Sequence, residues 1–174
     1  MKIRLYILVL CHVLIVSCED EKKSIDANET ESNNQQSNIT EKAIKDFNYT
    51  DYALSSAAEK EVANWEKYQE LAIQISYLKK TDLSFFNGDK ELLKKFIDEF
   101  KLGLPERLRV NSITSRTTVI ETTILKLNEN LTLDNIDANL KLSTIKEVVT
   151  AFSNLNYQIN KKLERDVYDK IQPE

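Results

Sequence analysis

Arg116 is the residue whose surroundings most invite chemistry. It stands among Ser112, Thr117, Thr118 and Glu121, on a segment whose other side is apolar. A buried guanidinium must be paired, so Glu121 or an asparagine further along (Asn154, Asn156 or Asn160) is expected to face it. One reading makes Arg116, Glu121 and Asn156 a contact for a ligand carboxylate or a partner. The weightier reading makes them a structural polar network that fixes helix register. The chain also carries 28 Asp and Glu residues, which could bind a hard cation or perform acid–base work. No Asp-x-Asp-x-Asp-Gly loop orders them, and Gly88 and Gly103 are too few glycines for a phosphate-cradling loop. Trp65, Tyr68 and Tyr77 could line a groove, but aromatics at helical spacing are more often core.

The stronger nucleophiles and bases sit at the start of the chain. Cys11 and His12 lie in the first seventeen residues, which have the three parts of an export signal. Lys2 and Arg4 give a positive start, Ile7 to Val16 an apolar run broken only by His12, and Ser17 a small residue before a cleavage site. The run is too short to span a bilayer, which takes about 20 apolar residues. Ile15-Val16-Ser17-Cys18 resembles the lipobox read by bacterial lipoprotein signal peptidase. The resemblance implies cleavage between Ser17 and Cys18, a diacylglycerol thioether on Cys18 and an acylated amino terminus, palmitate being the expected chain. Two or three acyl chains anchor stably where one binds only marginally. The acidic residues Glu19, Asp20 and Glu21 resemble the surface-export signal of Bacteroidota lipoproteins and imply the outer membrane, with its outward face favoured. A spirochaete lipoprotein is the rival source.

Removal of residues 1–17 strips the inventory. What remains has no histidine and one cysteine, Cys18, whose sulfur is claimed by lipid. Internal disulfides, zinc sites built on Cys or His, and nucleophile systems that need an imidazole base are thereby excluded. No cofactor is expected. The formal charge moves from −4 to about −6 as Lys2 and Arg4 leave, which argues against nucleic acid and against direct contact with anionic headgroups.

Two glycines and two prolines offer little turn chemistry for a sandwich or barrel, so the class expected is all-α. Residues 18–46 are polar and read as a lipidated, disordered acidic tether, with one helical domain over 47–174. Asn28-Glu-Thr30 and Asn38-Ile-Thr40 match the glycosylation triplet by chance in an Asn-rich stretch.

A first long helix is expected from Asp51 to Lys79, carried by Leu54, Ala58, Val62, Trp65, Tyr68, Ala72, Ile75 and Leu78 at three- and four-residue steps. A short helix follows from Asp89 to Leu102, with Asp89 at its start, Leu92, Leu93, Phe96, Ile97 and Phe100 as its apolar face, and Gly103 as a left-handed stop. The third helix, Pro105 to Leu131, keeps a bundle seam (Ile113, Thr117, Ile120, Ile124, Leu127, Leu131) against the strand preference of its Thr and Ile content. The last helix runs from Leu142 to Ile171, with Thr144 and Glu147 at capping-box spacing. The simplest assembly is an antiparallel bundle of three long helices with the short one laid across it.

Leu104-Pro105, Ser112 to Arg116, Val119 to Thr122 and Phe152-Ser-Asn-Leu-Asn-Tyr-Gln-Ile-Asn160 resemble small lipoproteins of Flavobacteriia. That resemblance implies a source and a location, and transfers no catalytic residue. The function expected is a non-enzymatic helical module, held at the outer membrane through Cys18 and binding another envelope protein. The alternative is a small-ligand bundle with a polar pocket near Arg116 and the short helix.

Overall fold

The computed structural model describes residues 39–171. The export signal, Ser17, Cys18, the tether up to residue 38 and Pro173 lie outside the described residues. The described residues form α1 (Glu41–Lys45), α2 (Ser56–Val62), α3 (Glu66–Leu78), α4 (Lys90–Leu102), a 3₁₀ turn (Glu106–Leu108), α5 (Asn111–Thr132) and α6 (Ala138–Ile171). No strand occurs among them, and the class is all-α.

The helix α6, 34 residues and about 50 Å long, is the axis of the fold. Its neighbour α5 runs antiparallel to it. Asn130 Nδ2 donates to Thr144 Oγ1 at 3.1 Å, and Lys126 reaches Glu147 at 2.8 Å. The expected seam of α5 is buried at Ile113, Thr117, Ile120, Ile124 and Leu127, and Leu131 is partly buried against the same core. Burial of that seam overrides the strand preference of its β-branched residues, and threonine hydroxyls bond back into the helix: Thr114 to the Val110 carbonyl, Thr118 to Thr114 and Thr122 to Thr118. The shorter α4 packs on α5 and α3, burying Leu93, Phe96, Ile97 and Phe100. Asp89 caps it, its carboxylate accepting the Glu91 and Leu92 N–H groups. Leu92, expected on the apolar face, is instead 69% exposed.

The first long helix is corrected in two places. Residues 51–55 are not helical, and Ser55 is the true cap of α2, its hydroxyl accepting the Ala58 N–H. The helix then breaks at Ala63–Trp65. Trp65 leaves helical geometry (φ −89°, ψ 79°) to bury its indole, which donates to the Phe100 carbonyl at 2.8 Å and stacks on the Phe100 ring. Gly103 completes this joint. Its φ is −75°, so it is no left-handed stop; a Cβ there would stand 3.1 Å from Trp65 Cδ1 and 3.3 Å from the Glu99 carbonyl oxygen. A side chain there would crowd the indole.

Three boundaries also shift. Pro105 opens only a 3₁₀ turn, and α5 starts at Asn111. α6 starts at Ala138, so Thr144 is no cap but a buried residue inside it, donating to the Leu140 carbonyl. Ordered structure also begins before residue 47. Thr40 caps α1, and Ile44 is buried, so the end of the expected tether belongs to the folded domain.

Candidate functional site

The trio Arg116, Glu121 and Asn156 does not assemble. Residues five apart on a helix lie about 140° apart around it, too far for Arg116 to meet Glu121 on one face. Glu121 turns to α4, where Lys101 Nζ stands 2.7 Å from its carboxylate. Arg116 is half-buried; its Nε is shielded from solvent and has no hydrogen-bond partner among the described residues. Asn156 belongs to another constellation on the far side of α6.

That constellation is a ladder of side chains. Ser153, Asn156 and Asn160, at spacings of three and four, share one face of α6 and grip the extended segment 50–55 by its backbone. Ser153 Oγ accepts the Tyr52 N–H at 2.7 Å and donates to the Thr50 carbonyl at 2.6 Å. Asn156 Nδ2 donates to the Tyr52 carbonyl at 2.9 Å. Asn160 Nδ2 donates to the Ala53 carbonyl, and its Oδ1 accepts the Ser55 N–H, both at 2.8 Å. A strand would satisfy these backbone groups with another strand; here helix side chains do it. Tyr68 of α3 closes the ladder by donating its hydroxyl to Asn156 Oδ1 at 2.8 Å. Its phenol is pushed well above the usual range by burial, so it stays a neutral donor. Asn128 makes a second clasp, donating to the Phe86 and Gly88 carbonyls, both at 2.9 Å. The signal for the ladder was in the sequence: polar residues at helical spacing beside the apolar Phe152, Leu155 and Ile159.

The chain matches no protein-family model, no curated protein and no solved structure. The nonapeptide Phe152–Asn160, the longest of the segments behind the resemblance drawn from the sequence, contains all three rungs of the ladder.

Recesses remain on the surface. A cleft of about 500 Å³ opens between α1, the following loop and the end of α3, with Ile44, Phe47 and Tyr49 as its apolar floor and Lys45, Lys79 and Lys80 at its rim. Lys45 pairs with Glu41 at 2.7 Å and Lys79 with Asp51 at 2.6 Å. The Lys45 hydrogen bond holds the Glu41 carboxyl below its ordinary range, and burial pushes the Tyr49 phenol up. Shallower recesses lie between α4 and α5, near Leu125, and beside Trp65 and Gly103. Arg116 lines none of these three. Among the described residues no group of three or more His, Cys, Asp or Glu is placed to hold a metal ion. No described helix is long and apolar enough to cross a membrane.

Proposed function

We propose that this protein is a membrane-anchored lipoprotein whose antiparallel helical bundle serves as a non-enzymatic interaction module for another envelope protein. The observation that carries the reading is the tetrapeptide Ile15-Val16-Ser17-Cys18 at the end of a short apolar run, followed by a polar stretch. The outer membrane is the proposed location, on the strength of Glu19, Asp20 and Glu21. The ladder supports a tethered role: the segment through which the anchor joins the bundle is fastened to its longest helix along two turns.

The test is metabolic labelling with a palmitate analogue in a bacterial host that processes lipoproteins, coupled to crosslinking in intact cells. Label and membrane association are expected in the wild type and lost in Cys18→Ala, with crosslinked partners lost in parallel. A wild-type protein that takes up no label refutes the anchor. Partners captured equally by Cys18→Ala refute the idea that tethering brings them together.

A further inference from the structure

The cleft between α1 and the end of α3 has a composition that selects a ligand. Its floor is apolar: Ile44 is 3% exposed, and Phe47 and Tyr49 are half-buried against the same core. Its rim carries three ammonium groups and two carboxylates. Two of the ammoniums are matched, Lys45 by Glu41 and Lys79 by Asp51. Lys80 makes no ion pair among the described residues, although its charge is felt at Glu41. A chain of net negative charge therefore holds one unmatched positive charge at the mouth of its apolar cleft. The Tyr49 hydroxyl and Lys79 add donors beside it.

Local backbone supports the same placement. Thr81, next to Lys80, has φ 69°, a left-handed conformation that β-branched residues rarely take. It closes α3 with a paired turn, the Asp82 N–H bonding to the Tyr77 carbonyl and the Thr81 N–H to the Leu78 carbonyl, both at 3.0 Å. The helix ends at Leu78, and the turn that follows carries Lys79 and Lys80, both of which line the cleft.

We propose that this cleft binds a single-headed organic carboxylate with an apolar body, a medium-chain fatty acid being the simplest member of the class. The apolar body lies on Ile44, Phe47 and Tyr49, and the head pairs with Lys80. One unmatched positive charge suits a monoanion. A doubly charged phosphate ester would bring a second negative charge near Glu41 and Asp51 without a second free cation to meet it. A neutral alcohol would bury the same body and leave Lys80 unanswered. The volume, about 500 Å³, lies within the range of small-molecule sites.

The experiment uses the mature chain carrying Cys18→Ala, so that no acyl group of its own competes, and follows backbone amides by NMR during titration with decanoate, decanol and decyl phosphate below their micelle concentrations. Decanoate is expected to bind saturably and to shift amides at residues 44–51 and 76–81, with decanol and decyl phosphate at least about tenfold weaker. Lys80→Glu, a change at an exposed position, is expected to weaken decanoate about tenfold and to leave the helical circular dichroism unchanged. Absence of saturable shifts, shifts centred elsewhere, or equal binding by Lys80→Glu or by decyl phosphate overturns the proposal. None of these outcomes bears on labelling at Cys18, so the anchor and the cleft stand or fall separately.

Discussion

Asn156→Ala is the sharpest test of the ladder. The wild-type side chain is buried and makes two hydrogen bonds, accepting from the Tyr68 hydroxyl and donating to the Tyr52 carbonyl. Losing two such bonds costs about 2 kcal/mol net, and leaving the buried Tyr68 hydroxyl without an acceptor adds about 1–2 kcal/mol. The variant should therefore lose about 3–4 kcal/mol, a large share of a typical domain's 5–15 kcal/mol. Tyr68→Phe removes only one bond and should cost about 1 kcal/mol. In the double variant the orphaned hydroxyl no longer exists. Its loss should fall short of the sum of the singles by about 2–3 kcal/mol, since the shared bond is counted in both singles and the orphan is gone. Urea unfolding read by the fluorescence of Trp65 measures all three, since Trp65 is the only tryptophan and its ring lies 5.2 Å from that of Tyr68. Single-variant losses that add within about 0.3 kcal/mol would refute the coupling. An Asn156→Ala loss below about 0.5 kcal/mol, the range of ordinary surface changes, would refute the ladder as a fastening.

Gly103→Ala should destabilise by about 1–2 kcal/mol, since its Cβ enters at 3.1 Å from Trp65 Cδ1 and close to a backbone oxygen that has little freedom to move. The same unfolding curves check it; a shifted Trp65 emission maximum should accompany the loss, and unchanged stability would mean that the indole joint is loose. Thr81→Gly should stabilise by about 1 kcal/mol, because relief of left-handed strain outweighs the entropy that glycine adds to the unfolded chain. A raised urea midpoint at constant slope is the expected reading, and a lowered midpoint would show that the threonine methyl packs usefully.

The helical class was legible because apolar residues recur at three and four along every long segment, and that period does not depend on what the helices meet. Breaks were not legible for the same reason. Ala63, Asn64 and Trp65 carry no glycine or proline, and the apolar steps from Val62 through Trp65 to Tyr68 keep helical register across the gap. What breaks the helix lies 35 residues away, in the Phe100 carbonyl that accepts from the indole, and in Gly103, whose missing side chain admits it. The extended segment 50–55 was hidden likewise. Leu54 fits the helical stripe, whereas the groups that hold its neighbours extended are side chains on α6 about a hundred residues later.

The site was misread by treating closeness in sequence as closeness in space. Arg116 and Glu121 look like partners in a line of text, but five residues of helix turn them apart, and Lys101 from α4 takes the carboxylate. Asn156 was singled out correctly as a polar residue with a partner, yet its partners are a backbone carbonyl and a tyrosine. The residues that line the cleft drew no notice because each is ordinary alone. Ile44 and Lys45 fell at the end of a polar stretch, with Phe47 just after it, where one short helix, capped by Thr40, sets them beside the end of α3. Chemistry in this chain is therefore written at the joins between elements. Lysines that would be solvated on an isolated helix gain a shared apolar floor there, and that floor exists only once α1 has docked.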